Sequence, residues 1–352
     1  MSSPTARKVS VPHTVRTAAE PRQNRLFTVR LSHIEEISPT VRLLQLTIPA
    51  NVQEPGLQEY VEESEEADIG QLQPFTFFPG QWLDVHIPSV ANAGGFSITS
   101  TPADAQVLPS LEPSPELIPA EEAEIFPVNA HGREPFVELA VQKALSNPAS
   151  AWLWRPREEI LGKELSIRVG GSFVWPPSTV KLEEIRNVVF VAGGVGINPI
   201  MSMLSHLNNN DETTGSFHPS LNIHILYSSK LPHAATPETA LNQIPFLPRL
   251  REIVRSRRQS QRLRVTLDLF LTNNHDSSSA LPARSLQDST IQPRRISRDD
   301  LFRSVSGRDP QYKPEETVCY VCGPPQMTDE VVNILSELLD GQKDRIYFEK
   351  WW

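Results

Sequence analysis

Cysteine is nearly missing from this chain: among 352 residues there are two, Cys319 and Cys322. That shortage excludes a disulfide framework and suggests a reducing compartment. The pair sits in Val318-Cys319-Tyr320-Val321-Cys322, a run that reads as a strand, and residues three apart on a strand point to opposite faces. A thioredoxin-like dithiol is therefore not expected. Two cysteines cannot close a structural zinc site, and with scattered histidines they supply no iron–sulfur or haem ligand set, so no metal is expected. Long apolar runs are missing as well, and nothing approaches the ~20 residues of a membrane span. Positive charge is in deficit, with 33 basic against 42 acidic residues, which argues against a nucleic-acid partner. The basic run from Arg249 to Arg264 reads as a solvated helix leading into the next strand.

What is abundant is proline, 32 residues of it, which predicts long irregular connections in a chain of two-domain length. Residues 1–24 read as a flexible tail or a targeting segment: basic, rich in Ser and Thr, with Glu20 as its single acid. That pattern resembles a mitochondrial transit peptide, with a cytoplasmic protein carrying an ordinary tail as the alternative. Apolar alternation at Phe27–Leu31 and Val41–Ile48 predicts half-buried strands, joined later by Gly80–Ile87, Val137–Lys143 and Glu164–Val169. Residues 25–180 are thus expected to form a small antiparallel β-barrel, with acidic and Pro-rich surface insertions near 53–73 and 104–134. From about Lys181 the texture changes. Continuous apolar runs at Val188–Ala192, Ile223–Tyr227, Leu263–Leu271 and Val318–Val321 alternate with helical patterns. Residues 181–352 are therefore expected to form a doubly wound parallel-sheet α/β domain, with a loop insertion near 273–298.

The strongest chemical signal is Ala192-Gly193-Gly194-Val195-Gly196-Ile197-Asn198-Pro199, directly after a buried run and before a helix. Glycine lets backbone approach a pyrophosphate, and a helix N-terminus offers free N–H groups to that anion. A second crossing lies at Cys322-Gly323-Pro324, again between strand and helix. Ligands of such sheets bind outside the carboxyl ends of the strands, which would bring both motifs to one crevice. In the first half, Gly94-Gly95-Phe96-Ser97-Ile98-Thr99-Ser100 offers an aromatic face beside a hydroxyl, although an ordinary barrel strand reads the same way.

Taken in order, these segments resemble the ferredoxin–NADP reductase superfamily from about Arg25 to the end. The Gly-Gly-Phe-Ser segment, the late Cys-Gly-Pro and the Glu349-Lys350-Trp351-Trp352 ending resemble its oxidoreductase NAD-binding domain-containing protein 1 group. The resemblance implies FAD on the barrel and NADH or NADPH on the second domain. It implies hydride transfer between them and an unidentified electron acceptor. Phe96 would stack on the flavin and Ser97 would hydrogen-bond the nitrogen that receives hydride, with Ile98 and Thr99 alongside. Asn147-Pro148-Ala149-Ser150 resembles the second phosphate motif, in which Ser150 would hold the FAD pyrophosphate. Gly193, Gly194, Val195, Gly196 and Pro199 would form the nicotinamide-dinucleotide turn. Cys322, with Gly323 and Pro324, would lie beside the reacting carbon, Glu349 near it, and Trp351 or Trp352 on the flavin. Ser228 and Lys230 follow the second parallel strand, where no acid stands to favour a free ribose hydroxyl, so NADPH would be tolerated.

One position departs from the family. Gly94 stands where an arginine pairs with the flavin phosphate, and Lys143 or Arg168 would have to compensate. The competing readings are a scaffold protein that kept the fold but binds flavin weakly, and a dehydrogenase using nicotinamide alone. The second predicts a dinucleotide motif near the N-terminus, whereas here it lies past the midpoint.

Overall fold

The computed structural model describes residues 11–49, 74–106, 134–213, 220–234, 236–257, 260, 262–272, 285–286, 289–307 and 314–351. The expected insertion near 53–73 and residues 107–133 of the second one lie outside the described residues, as do residues 1–10 and Trp352.

Six strands form the first sheet: β1 (Phe27–Ser38), β2 (Val41–Thr47), β3 (Trp82–His86), β4 (Gly94–Ser97), β5 (Phe136–Gln142) and β6 (Glu164–Gly170). Their order is β4-β3-β6-β1-β2-β5, with every pairing antiparallel. A bridge between Ile98 and Leu139, with Thr99 N–H donating to Glu138 O at 2.8 Å, joins the two ends and closes the barrel. Alternation drives this half: β1 begins buried-exposed-buried-exposed-buried, so Phe27, Val29 and Leu31 meet Leu46, Leu83, Val85 and Ile167 inside. Two short helices, α2 (Pro148–Leu153) and α3 (Arg157–Ile160), add Trp152, Leu153 and Ile160 to that core.

The segment expected as a tail is folded from Pro12 onward. Helix α1 (His13–Arg16) lies against β4, Gln23 N–H donates to Val169 O, and Arg22 bridges to Gly170. The organising group is Asp84, fully buried on β3, whose Oδ2 accepts from Arg22 Nε at 2.9 Å and Arg168 Nη2 at 2.8 Å. A carboxylate taken out of water needs such partners, and the N-terminal segment supplies one of them.

The second sheet holds β7 (Asn187–Gly193), β8 (Leu221–Ser229), β9 (Leu263–Leu271), β10 (Ser285–Leu286), β11 (Ser289–Gln292), β12 (Thr317–Gly323) and β13 (Ile346–Lys350). Its order is β10-β11-β9-β8-β7-β12-β13, parallel except for the edge strand β10. Buried on both faces, β7 and β12 need apolar residues throughout, which is why they read as continuous runs. Helices α4 (Ile197–Thr213) and α6 (Leu247–Ser256) cover one face; α5 (Pro237–Asn242) joins α6 there, and α7 (Arg298–Ser306) and α8 (Pro325–Leu338) cover the other. The expected loop near 273–298 is shorter than that. Residues 289–292 add a strand to β9 and bury Ile291, a contribution hidden by Ser, Thr and Gln.

Polar contacts tie the two halves together. Asn198 and Ser202 on α4 donate to Ala140 O at 2.9 Å and Ser100 O at 2.6 Å, and Arg249 on α6 donates to Glu138 Oε1 at 2.8 Å. Tyr320 on β12 donates to Val174 O at 2.9 Å and packs on Phe173 and Trp175.

Candidate functional site

From β7 the chain moves outward through β8, β9 and β11, then returns to β12 on the opposite side of β7. The gap between the carboxyl ends of β7 and β12 is therefore the sheet's switch point, where open α/β sheets bind ligands. Both glycine motifs end there. A Cβ on Gly196 would lie 2.1 Å from Cys322 O, and one on Gly193 would lie 2.6 Å from Met327 Sδ and 2.8 Å from Pro324 Cδ. A Cβ on Gly323 would lie 3.2 Å from Gly193. These glycines let two strand ends and the start of α4 touch. Gly194 differs from them: its φ is +56°, a Cβ there would meet nothing within 4 Å, and it is partly exposed with Val195. It presents backbone to open space. Pro199 is buried in the first turn of α4, and Ser228 lies beside Gly193 in register, partly exposed. Lys230 and Pro324 are exposed at the same edge.

Beside this turn stands a small polar group. Cys322 and Glu349 are register partners on β12 and β13, and Trp351 N–H donates to Gly323 O at 3.1 Å. Glu349 Oε2 is shut off from solvent and has no hydrogen-bond partner. Burial, reinforced by the charge of Glu20 and offset in part by Trp351, pushes its pKa up from 4.5 to about 8. The Cys322 thiol is pushed well above its usual value by burial and by Glu349. Trp351 Nε1 is close enough to moderate both shifts, yet no atom meets it in hydrogen-bond geometry. Cys319 lies on the opposite face in a different core cluster, as its spacing requires. Both cysteines are free and buried.

The barrel side is arranged differently from the expectation. Ile98 is fully buried in the barrel core, where its side chain cannot touch a cofactor. Thr99 is 1% exposed, and its hydroxyl donates to Glu138 Oε1 at 2.8 Å, so it serves the junction instead. Phe96 packs against the barrel core, with Cε2 2.6 Å from where a Cβ on Gly94 would lie. Ser150 is buried; its hydroxyl donates to Gln142 O at 2.8 Å and accepts from Ala144 N–H at 3.0 Å. Lys143 Nζ lies 5.0 Å from the centre of the Trp154 ring, and Arg168 is taken by Asp84. Ser97 is 3% exposed on the face of β4 that bears Gly95, and the His13 ring sits where a Cβ on Gly95 would be.

Sequence reasoning missed Glu20, Asp84 and Glu138. The one available signal was Glu20 itself, a lone acid in a basic segment.

No family model matches the chain. It is 31% identical over 345 residues to oxidoreductase NAD-binding domain-containing protein 1 of Danio rerio, spanning 97% of each chain. The chain belongs to the oxidoreductase NAD-binding domain-containing protein 1 family. Among solved structures, the Amycolatopsis cytochrome P450 reductase GcoB matches with a TM-score of 0.56 at 17% identity, over 94% of this chain and 70% of that one. A ferredoxin NADP+ reductase from Neisseria gonorrhoeae with bound FAD and NADP matches with a TM-score of 0.53 at 12% identity, over 94% and 100%. At such identities the two structures establish for this family member the ferredoxin reductase-like fold. Among the described residues no helix is long and apolar enough to cross a membrane, and no cluster of His, Cys, Asp and Glu suits a metal ion.

Proposed function

We propose that this chain is an oxidoreductase that takes hydride from a reduced nicotinamide dinucleotide held at the crevice between β7 and β12. The observation that carries this reading is the turn from Gly193 to Gly196, which packs on the end of β12 while Gly194 stays open to solvent. The dinucleotide fits these residues. Gly194 and Val195 would face its pyrophosphate at the start of α4, and Ser228 and Lys230 its adenosine ribose, with no acid there to exclude NADPH. When bound, the nicotinamide ring supplies a hydride to an acceptor.

The chain's own residues shape the reacting end. Glu349 Oε2 and Trp351 Nε1 are buried polar atoms that no hydrogen bond satisfies, the kind of edge that a carboxamide, with both a donor and an acceptor, can meet. Burial raises the Glu349 pKa to about 8, which favours the neutral carboxyl and lessens negative charge in the crevice. Cys322, fully buried beneath them, stays a thiol.

FAD enters as the acceptor suggested by the fold and by the gonococcal reductase. Where the family holds its diphosphate, the residues of this chain do not fit it, because Ala149, Phe96 and Asn147 occupy that place. The electron acceptor therefore stays unassigned.

Calorimetric titration of the purified chain with NADH and NADPH tests the proposal. Binding of at least one is expected, weakened about tenfold or more in Gly194→Ala, whose methyl group would stand between backbone and pyrophosphate. Failure of both nucleotides to bind, or equal binding by the variant, would remove it.

A further inference from the structure

We infer that the barrel has no seat for the diphosphate of FAD, so that the ADP half of FAD adds little affinity and FAD is not kept as a resident cofactor. In this fold the diphosphate would lie between β4 and the start of α2. That space is filled by the protein. A Cβ built on Gly94 would stand 2.5 Å from Ala149 Cβ, so helix and strand are in direct contact, and the Phe96 ring folds back over the same spot. Glycine at position 94 is what lets α2 come down onto the strand. An arginine there would have to push the helix away.

The groups that would receive phosphate oxygens are engaged elsewhere. Asn147 Oδ1 accepts from both Ala149 N–H at 3.1 Å and Ser150 N–H at 3.2 Å, which closes the start of α2 with a side chain of the chain itself. The Ser150 hydroxyl gives its one donor hydrogen to Gln142 O and accepts from Ala144 N–H, both within the turn that precedes α2, so it has no hydrogen left for a phosphate oxygen. The nearby guanidiniums are committed too. Arg42 donates to Glu36 Oε1 and to Arg155 O at 2.7 Å, and Arg22 and Arg168 hold Asp84. That leaves the exposed Lys143, over the Trp154 ring, as the one cation beside the strand's end with no ion pair among these. A single solvated ammonium offsets little of the cost of desolvating two phosphate charges, so a flavin meeting this barrel would gain little from its tail.

The inference concerns the barrel and is separable from the nicotinamide reading, whose residues lie on the other sheet. The test is fluorescence titration of the flavin-free chain with riboflavin, FMN and FAD, with NADH and NADPH titrated into the same sample. The three flavins are expected to bind within about threefold of one another, where a seated diphosphate would favour FAD by about a hundredfold or more. Absence of binding by all three, with nicotinamide binding intact, also upholds the inference and removes flavin as an acceptor. FAD held at one per chain through gel filtration, or the hundredfold preference, overturns it. Gly94→Ala supplies an independent arm: its methyl group would strike Ala149, so the melting temperature should fall by several degrees. A variant as stable as the parent would mean that α2 does not rest on β4, and the inference would fail.

Discussion

Glu349 carries an energetic cost that depends on pH. Its carboxyl, ordinarily at 4.5, is raised by burial to about 8 in the folded chain. Below 4.5 both folded and unfolded forms hold the proton; above that value the unfolded chain ionises and the folded one does not. The carboxyl's support for the fold is thus fully present below its unfolded pKa and is lost as pH climbs through about 8. Glu349→Gln, which cannot ionise, should gain on the parent steadily between those limits, read as a melting-temperature difference that widens with pH. A constant difference across the range would contradict the assignment. Asp84 is a buried carboxylate that two guanidiniums hold in place. Asp84→Ala should cost roughly 3–5 kcal/mol in urea unfolding, because two cations are left without their carboxylate. His13 adds little charge there. Burial lowers its pKa to about 4, so at neutral pH it meets Asp84 as a neutral ring, 3.4 Å away and without a hydrogen bond.

At the scale of elements, the start of α4 and the end of β12 are built against each other through missing side chains. Gly196→Ala would drive a methyl group into the backbone of Cys322 and Gly323. Overpacking of that kind costs about 1–3 kcal/mol, and here it also separates the two motifs that define the crevice. The expected result is a lower urea midpoint together with weaker nicotinamide binding. Gly194→Ala, with open space around its Cβ, should lose binding while paying chiefly for its left-handed backbone. If the two variants behave alike, the division of labour between these glycines is wrong. Helix α2 teaches a related lesson: Asn147 caps it, and the cap that stabilises the helix also closes it to anions.

Across the whole molecule, barrel and parallel sheet meet through a buried polar junction. Glu138 is its hub: it accepts from Thr99 and Arg249 through its carboxylate, and its N–H donates to Ser100 Oγ at 2.9 Å. Asn198 and Ser202 carry the same junction to α4, directly behind the glycine turn. The two halves should therefore unfold together. Glu138→Ala should cost about 1–2 kcal/mol, because Arg249 is half exposed and regains water, and, by loosening the docking, split the single calorimetric transition into two. One unaltered transition would show that the halves are coupled elsewhere. The folded N-terminal segment belongs to this scale as well, since it covers Trp82, whose indole is fully buried under His13 and Arg22.

Periodicity along the chain determined the two sheets and their order. Alternating strands demanded a barrel with one wet face, and unbroken apolar strands demanded a sheet covered on both sides. The glycine turn and the Cys322-Gly323-Pro324 crossing were legible for the same reason, because each sits between a strand and a helix that local pattern reveals. Only the tertiary structure decided what surrounds Gly94, Ser150 and Thr99. The Asn147 cap on α2 is local, but whether the hydroxyl of Thr99 and the space beside Gly94 are free depends on distant groups, and Glu138 and Ala149 arrive there through packing that local sequence does not encode. The fate of residues 12–24 was decided in the same way. A basic, proline-interrupted segment carries no sign of a fold until Asp84, some sixty residues on, offers a buried charge for Arg22 to meet.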